Sequence, residues 1–383
     1  MRTVRDLPVE GARVLVRADL NVPLDGTRIA DDSRIRAALP TIRYLRERSV
    51  DVVVCSHLGW PQGAPDPALS LRLVAAWLAE LVGEPVAFGD EEGPLRLLEN
   101  LRFDPRETKN DPEMAAELAA LADLYVNDAF GAAHRAHAST EGVAHRLAAY
   151  AGLLLEQEVR ELTSVLDDPD RPLVVVLGGA KVTDKIGVIE RFLEIADRIL
   201  IGGAMCFSFF RAQGHATGDS LVEEDGIEPA RRALELAAGS DCDLELPTDL
   251  VLGASFSADA EPVAADGVEV PDGMMGLDIG AATASAYADA IAAARTVFWN
   301  GPMGAFELPP FAAGTRAVAE AVAATDATTI VGGGDSGAAL VEFGLAGEVS
   351  WLSTGGGASL ELIEGKALPG VEALRDAGVE EES

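Results

Sequence analysis

The sequence predicts an α/β protein of two domains, each a mostly parallel, Rossmann-like sheet with helices on both faces, joined by a hinge helix. Three observations predict it. Short apolar strands alternate with helical periodicity along the chain, the pattern of parallel sheets covered on both sides. Strand after strand in the second half exits into glycine. Between the halves, Leu153 to Leu162 reads as one helix, followed by the loop Asp167-Asp168-Pro169-Asp170-Arg171-Pro172. A length of 383 residues fits two domains. The boundaries expected are 1–152, a linker at 153–170, a second domain at 171–365 and a tail at 366–383.

In the first half, strands are expected at Val14-Leu15-Val16-Arg17, Asp51 to Cys55, Pro85 to Phe88, Leu97 to Asn100 and Leu124 to Val126. Helical patterns run from Leu69 to Val82 and from Pro112 to Ala122. In the second half, strands are expected at Leu173 to Leu177, Arg198 to Ile201, Leu250 to Leu252, Thr296 to Trp299, Thr328 to Val331 and Val349 to Leu352. Continuous apolar runs such as Leu173-Val174-Val175-Val176-Leu177 suit strands buried on both faces.

Composition narrows the function. Lys+Arg 30 against Asp+Glu 63 gives a net charge of −33, which repels nucleic acid and anionic membranes. The acid is spread along the chain rather than gathered in a tail. Over a well-patterned core, such a surface suits a cytosol of very high salt, where screening removes self-repulsion. Hydrophobic residues make up 48 % of the chain, enough for large cores and too many for a disordered protein. The start, Met1-Arg2-Thr3-Val4-Arg5-Asp6, lacks the apolar stretch of a leader, and no apolar run reaches the ~18 residues of a membrane span. Cys55, Cys206 and Cys242 form an odd set and read as free thiols in a reducing compartment. A cytoplasmic, monomeric protein without nucleic-acid or membrane partners is expected.

Only four lysines occur, Lys109, Lys181, Lys185 and Lys366. Two of them follow a strand and a Gly178-Gly179 pair, just before a helical run with Ile186, Ile189, Phe192, Leu193 and Ala196 in phase. Bare backbone N–H groups, a helix start and two ammonium groups suit a polyphosphate. The motif is not a P-loop, since no G-x-x-x-x-G-K-[ST] is present. The plain reading, surface charges at a helix start, leaves the other glycine exits unexplained. These are Gly202-Gly203, Gly301-Pro302-Met303-Gly304, Gly332 to Ser336 and Gly355-Gly356-Gly357. On one sheet edge, at the carboxyl ends of the strands, they make a nucleotide crevice.

Strand exits in the first half are polar and cationic: Arg17-Ala18-Asp19-Leu20-Asn21, Ser56-His57-Leu58-Gly59-Trp60-Pro61, Asn100-Leu101-Arg102 and Asn127 to His137. Arginine captures carboxylate and phosphate through two parallel hydrogen bonds, so a small anionic substrate is expected at this edge. His134 and His137 fit ordinary loop histidines better than a zinc site, for which further ligands at usual spacing are missing. For Asp19 the plain alternative is a structural acid that anchors the arginine edge. A nicotinamide dehydrogenase would require a Gly-x-Gly-x-x-Gly after the first strand, which is absent. An acidic binding protein would explain the charge, but not a basic edge paired with a glycine crevice.

These motifs resemble one family closely, the phosphoglycerate kinases. The resemblance runs from about Asp6 to Leu374. It rests on Val14 to Pro23, the His57, Arg102 and Arg135 segments, the double-lysine loop, Asn300 to Glu307, Gly332 to Ser336 and Ser353 to Leu360. With the acidity, it suggests a haloarchaeal-type member. It implies a hinge-bending enzyme that moves a phosphoryl group between 1,3-bisphosphoglycerate and ADP, giving 3-phosphoglycerate and ATP, with Mg²⁺ accompanying the nucleotide. By the same resemblance Asp19, Asn21, Arg34, His57, Arg102 and Arg135 hold the glycerate. Gly179, Lys181, Lys185, Gly203, Asn300, Pro302, Glu307, Gly333, Gly334, Asp335 and Ser336 bind the nucleotide, with Asp335 toward the metal. Arg34, Lys181, Gly356 and Gly357 act on the migrating group, and the tail folds back onto the first domain. One departure stands out. The family has arginine in its His-Leu-Gly-Arg-Pro segment, and this chain has Trp60, so the anion site holds one guanidinium fewer.

Overall fold

The computed structural model describes residues 1–8 and 11–376. It divides into two compact units: residues 1–160 with the chain from Lys366 onward, and Glu161–Gly365. The end of the expected tail, past residue 376, lies outside the described residues.

The first unit contains β1 (Arg13–Ala18), the hairpin β2 (Leu24–Asp25) and β3 (Arg28–Ile29), β4 (Asp51–Cys55), β5 (Ala87–Phe88), β6 (Leu95–Leu97), β7 (Leu124–Asp128) and β8 (Ala148–Ala151). Six of these form one sheet in the order β5-β6-β4-β1-β7-β8, every pair parallel. Val14, Leu15 and Val16 at its centre are fully buried, as β-branched and aliphatic residues are when helices cover both faces. Helices α1 (Ser33–Arg46), α2 (Arg72–Val82) and α3 (Pro112–Ala119) lie between the strands in sequence. Their ends are written locally. Asp111 caps α3 by accepting from the Glu113 and Met114 N–H groups, with Pro112 at the first helical position. Gly83 ends α2 in the left-handed conformation.

Leu97 to Asn100 departs from expectation. The strand is Leu95–Leu97, and the chain leaves the sheet where the Asn100 side chain takes over the hydrogen bonding. Its Oδ1 accepts from the Leu58 and Arg102 N–H groups, and its Nδ2 donates to the Leu58 and Leu69 carbonyls. Strand β8, rich in alanine, carried no strand signal.

Helix α4 (Leu153–Asp167) passes from the first unit into the second. The second unit contains β9 (Leu173–Leu177), α5 (Ile186–Ile195), β10 (Arg198–Ile201), α6 (Cys206–Gln213), α7 (Ile227–Ala237), β11 (Asp243–Glu245), β12 (Leu250–Gly253), β13 (Val263–Ala265), β14 (Met275–Ile279), α8 (Ala281–Ala292), β15 (Thr296–Asn300), α9 (Ala313–Ala324), β16 (Thr328–Gly332), α10 (Gly334–Glu342), β17 (Trp351–Leu352) and α11 (Gly357–Ile363). The main sheet runs β11-β10-β9-β15-β16-β17, all parallel. The Leu250–Leu252 segment is not part of it. It pairs antiparallel with β13 and β14 in a separate three-stranded sheet. An apolar run this short carries no information about strand direction, so the sequence misplaced it.

The last helix, α12 (Pro369–Asp376), belongs to the first unit. Its Gly370 N–H donates to the Ala133 carbonyl at 2.9 Å, and Val371 and Leu374 are buried. The three cysteines are free and buried, and burial raises each thiol above its ordinary pKa.

Candidate active site

In the first unit β1 sits between β4 and β7, and the order of strands reverses there, so loops diverge from their carboxyl ends. Register places Arg17 opposite Cys55 and Asn127 at that edge. Arg17 is wholly buried. Its Nε donates to Ser139 Oγ at 2.8 Å, and its Nη2 lies 2.9 Å from His57 Nδ1. Ser139 passes the charge on to buried Glu107 through a 2.6 Å hydrogen bond. This balance explains how a guanidinium survives inside a sheet.

The six expected glycerate residues come together around this core. Arg34, in the first turn of α1, reaches Asp19 at 3.2 Å and the Asn21 carbonyl at 3.3 Å. Asn21 Oδ1 accepts from the Gly59 N–H, and the Gly59 carbonyl accepts from Arg102 Nη1 at 2.9 Å. Arg135 lies beside His134, 3.0 Å from its ring nitrogen. Asp19 thus pairs with Arg34. His57 is held well below the ordinary histidine range, first by burial and then by Arg17, Arg102 and Arg34. Arg102 is pushed down to about 10 by burial, then by Arg135 and Arg17. Its Nε is buried without a hydrogen-bond partner. An unspent donor among crowded cations is the electrostatic mark of an anion site. Glu107 and Ser139 were not singled out by the sequence reading, and Arg17 entered it only as the start of a cationic strand exit. The available signal was an arginine ending an otherwise apolar central strand.

Trp60 shares this edge. The residue is 61 % exposed, and two guanidiniums lie over its ring, Arg102 at 3.8 Å and Arg135 at 4.8 Å from the centroid.

In the second unit the strand order reverses between β9 and β15, and two glycine turns meet there. Gly178 N–H donates to the Asn300 carbonyl and Gly179 N–H to the Pro302 carbonyl, at 3.0 and 2.9 Å. Gly203, with φ +66°, comes so close that a Cβ would lie 2.4 Å from the Gly179 nitrogen. A cavity of about 930 Å³ opens beside these turns. Gly179, Gly203, Pro302, Glu307 and Asp335 line it, with Phe207, Leu221 and Phe256 as apolar wall. Leu221 and Phe256 are more than half exposed, as the walls of a slot for a flat ring would be. The sequence reading missed them, because isolated apolar residues in loops carry no period.

Lys185 precedes α5 and donates to the Asn300 side chain and, at 3.3 Å, to the Asn300 carbonyl. Burial pushes it down to about 8, against the pull of Asp335 and Asp184. Asn300 Nδ2, facing Gly333, is buried without a partner. Ser336, fully buried, accepts from the Gly301 N–H at 2.6 Å and so braces the turn. Lys181 is exposed, and neither it nor the turn at Gly356 and Gly357, where α11 begins, lines the cavity. Among the described residues no group of three or more His, Cys, Asp or Glu side chains is placed to hold a metal. Asp335 stands exposed at the cavity edge.

One parallel α/β unit thus carries a guanidinium cluster at its strand ends, and the other a glycine-bordered cavity. A family model described as phosphoglycerate kinase matches residues 4–366. The phosphoglycerate kinase of Rubrobacter xylanophilus is 55 % identical, over 97 % of this chain and 98 % of its own. That of Moorella thermoacetica is 54 % identical over 98 % and 99 %. The solved structure of phosphoglycerate kinase from Coxiella burnetii superposes with a TM-score of 0.89 at 40 % identity, covering 98 % of both chains. The chain belongs to the phosphoglycerate kinase family. The two curated relatives named are bacterial, and they give a haloarchaeal origin no support. No described helix is long and apolar enough to cross a membrane.

Proposed function

We propose that this chain catalyses reversible phosphoryl transfer between 1,3-bisphosphoglycerate and ADP, giving 3-phosphoglycerate and ATP. The observation that carries the reading, in a chain of this family, is the guanidinium cluster of the first unit, buried at Arg17 and Arg102, with an unspent Arg102 donor. It calls for a small anion, which Asp19, Asn21, Arg34, His57, Arg102 and Arg135 hold. His57, neutral, acts as a hydrogen-bonding group rather than a proton carrier.

The second unit takes the nucleotide. Phe207, Leu221 and Phe256 offer a face to the base, and Glu307 accepts from ribose hydroxyls. Gly179, Gly203, Pro302, Gly333 and Gly334 let backbone approach the phosphates. Lys185, Asn300 and Ser336 support that backbone, and Asn300 Nδ2 and the Lys185 ammonium supply donors. Asp335 holds Mg²⁺ together with the phosphates, and the ion, when bound, neutralises charge on them.

The leaving group of an acyl phosphate is a carboxylate, a weak base, so no general acid is needed. Catalysis is positioning and charge neutralisation in line between two oxygens. Arg34 and Lys181 act on the migrating group, with the N–H groups of Gly356 and Gly357. Excluding water from the site protects the acyl phosphate from hydrolysis. The acidic surface adapts the enzyme to high salt. A coupled assay with 3-phosphoglycerate and ATP across a KCl series tests the reading. A folded protein without turnover at any salt overturns it.

A further inference from the structure

Two guanidiniums in one small site repel each other until an anion arrives. Arg102 and Arg135 nonetheless lie over the same indole ring, at 3.8 and 4.8 Å from its centroid. The loop that carries the ring is fixed from below. Gly59 holds φ +58° with Leu69 so near that a Cβ would lie 2.8 Å from it, and its N–H and carbonyl are bound by Asn21 and Arg102. Yet Trp60 as a residue is 61 % exposed. A tryptophan retained for burial would be covered. This one spends its face on cations and leaves the rest open to solvent.

We propose that Trp60 is a positioning residue for the anion site, an aromatic plate that holds the Arg102 and Arg135 guanidiniums together before substrate binds. This rests on the glycerate reading given above. An aromatic face attracts both cations without adding charge, so the free site is preorganised and ordering on binding costs less. An arginine at position 60 would do the opposite, adding a further cation to a site where Arg102 is already pushed down, first by burial and then by Arg135 and Arg17. The two solutions differ in salt response. Ion contacts weaken as salt screens them, whereas a contact with the ring face depends less on long-range charge. A site with the plate in place of one guanidinium therefore loses less affinity between dilute and molar salt.

The experiment compares wild type with Trp60→Ala, Trp60→Phe and Trp60→Arg in the full chain, between about 0.1 and about 3 M KCl. Trp60→Ala should raise KM for 3-phosphoglycerate about fivefold, with KM for ATP, kcat and Tm nearly unchanged. Trp60→Phe should recover most of that loss. Trp60→Arg should show a steeper rise of glycerate KM with salt than wild type. A Trp60→Ala enzyme with wild-type glycerate KM overturns the proposal. So does a variant in which KM for ATP and Tm shift together with it, or a phenylalanine variant no better than alanine. The function is separated from the plate by titrating inorganic phosphate into the protein and following indole emission. A response lost in Trp60→Phe is expected even in a preparation without turnover, and no response overturns the plate. Wild type that turns over both substrates while Trp60→Ala matches it fails this inference alone.

Discussion

Asp128 ends β7 wholly buried, and its Oδ1 accepts from the Leu154 and Leu155 N–H groups at the start of α4, at 2.9 and 3.3 Å. Its Oδ2 has no well-formed partner. Burial raises the carboxyl to about 7, against the Thr41 hydroxyl and the two backbone donors, which pull it down. A carboxyl whose folded pKa lies above its unfolded value of 3.8 contributes stability at acid pH and loses it as pH rises toward 7. The loss between about pH 5 and about pH 8.5 comes to about 2 to 3 kcal/mol. Asp128→Asn keeps the Oδ1 acceptor for the helix start and cannot ionise. The variant should match wild type near pH 4 and gain on it steadily toward pH 8, by roughly 5 °C or more in Tm. Melting wild type and variant in parallel across that range isolates this group, because other titrations are common to both. A difference in Tm that stays constant from pH 5 to about pH 8.5 would falsify the linkage.

Other perturbations test the remaining parts. Lys181→Ala should lower kcat by roughly 10³-fold with little change in nucleotide affinity, and a variant retaining most of its kcat removes Lys181 from the reaction. With a net charge of −33, thermal melts should fall as KCl is diluted from molar to about 0.1 M, and a Tm indifferent to KCl rules out the high-salt adaptation. Gly203→Ala places a methyl 2.4 Å from the Gly179 nitrogen at φ +66°, so it should cost about 1–3 kcal/mol and raise KM for ATP; normal stability and KM would mean the turns yield easily.

Much of the architecture was legible because it rests on local chemistry. Buried runs such as Leu173–Leu177 are strands whatever lies around them, and Asp111-Pro112 or Gly83 mark helix ends by rules that act within a turn. The glycine exits and the lysine pair were visible for the same reason: backbone freedom and charge are properties of the residues themselves. Strand Leu250–Gly253 was placed in the wrong sheet, since its direction depends on β13 and β14, which follow it in the chain and flank it in the sheet.

What only the tertiary structure decided is how distant groups share one environment. Arg17 reads as the end of a strand until Ser139 and His57 surround it. Asp128 is an ordinary acid until burial raises its pKa, and Leu221 and Phe256 are loop residues until they face one cavity. Trp60 shows the division most plainly. Resemblance to the family marks Trp60 as standing where an arginine is expected. The fold decided that two others lie over the ring that replaced it, because that contact joins loops after three different strands and no sequence interval encodes it.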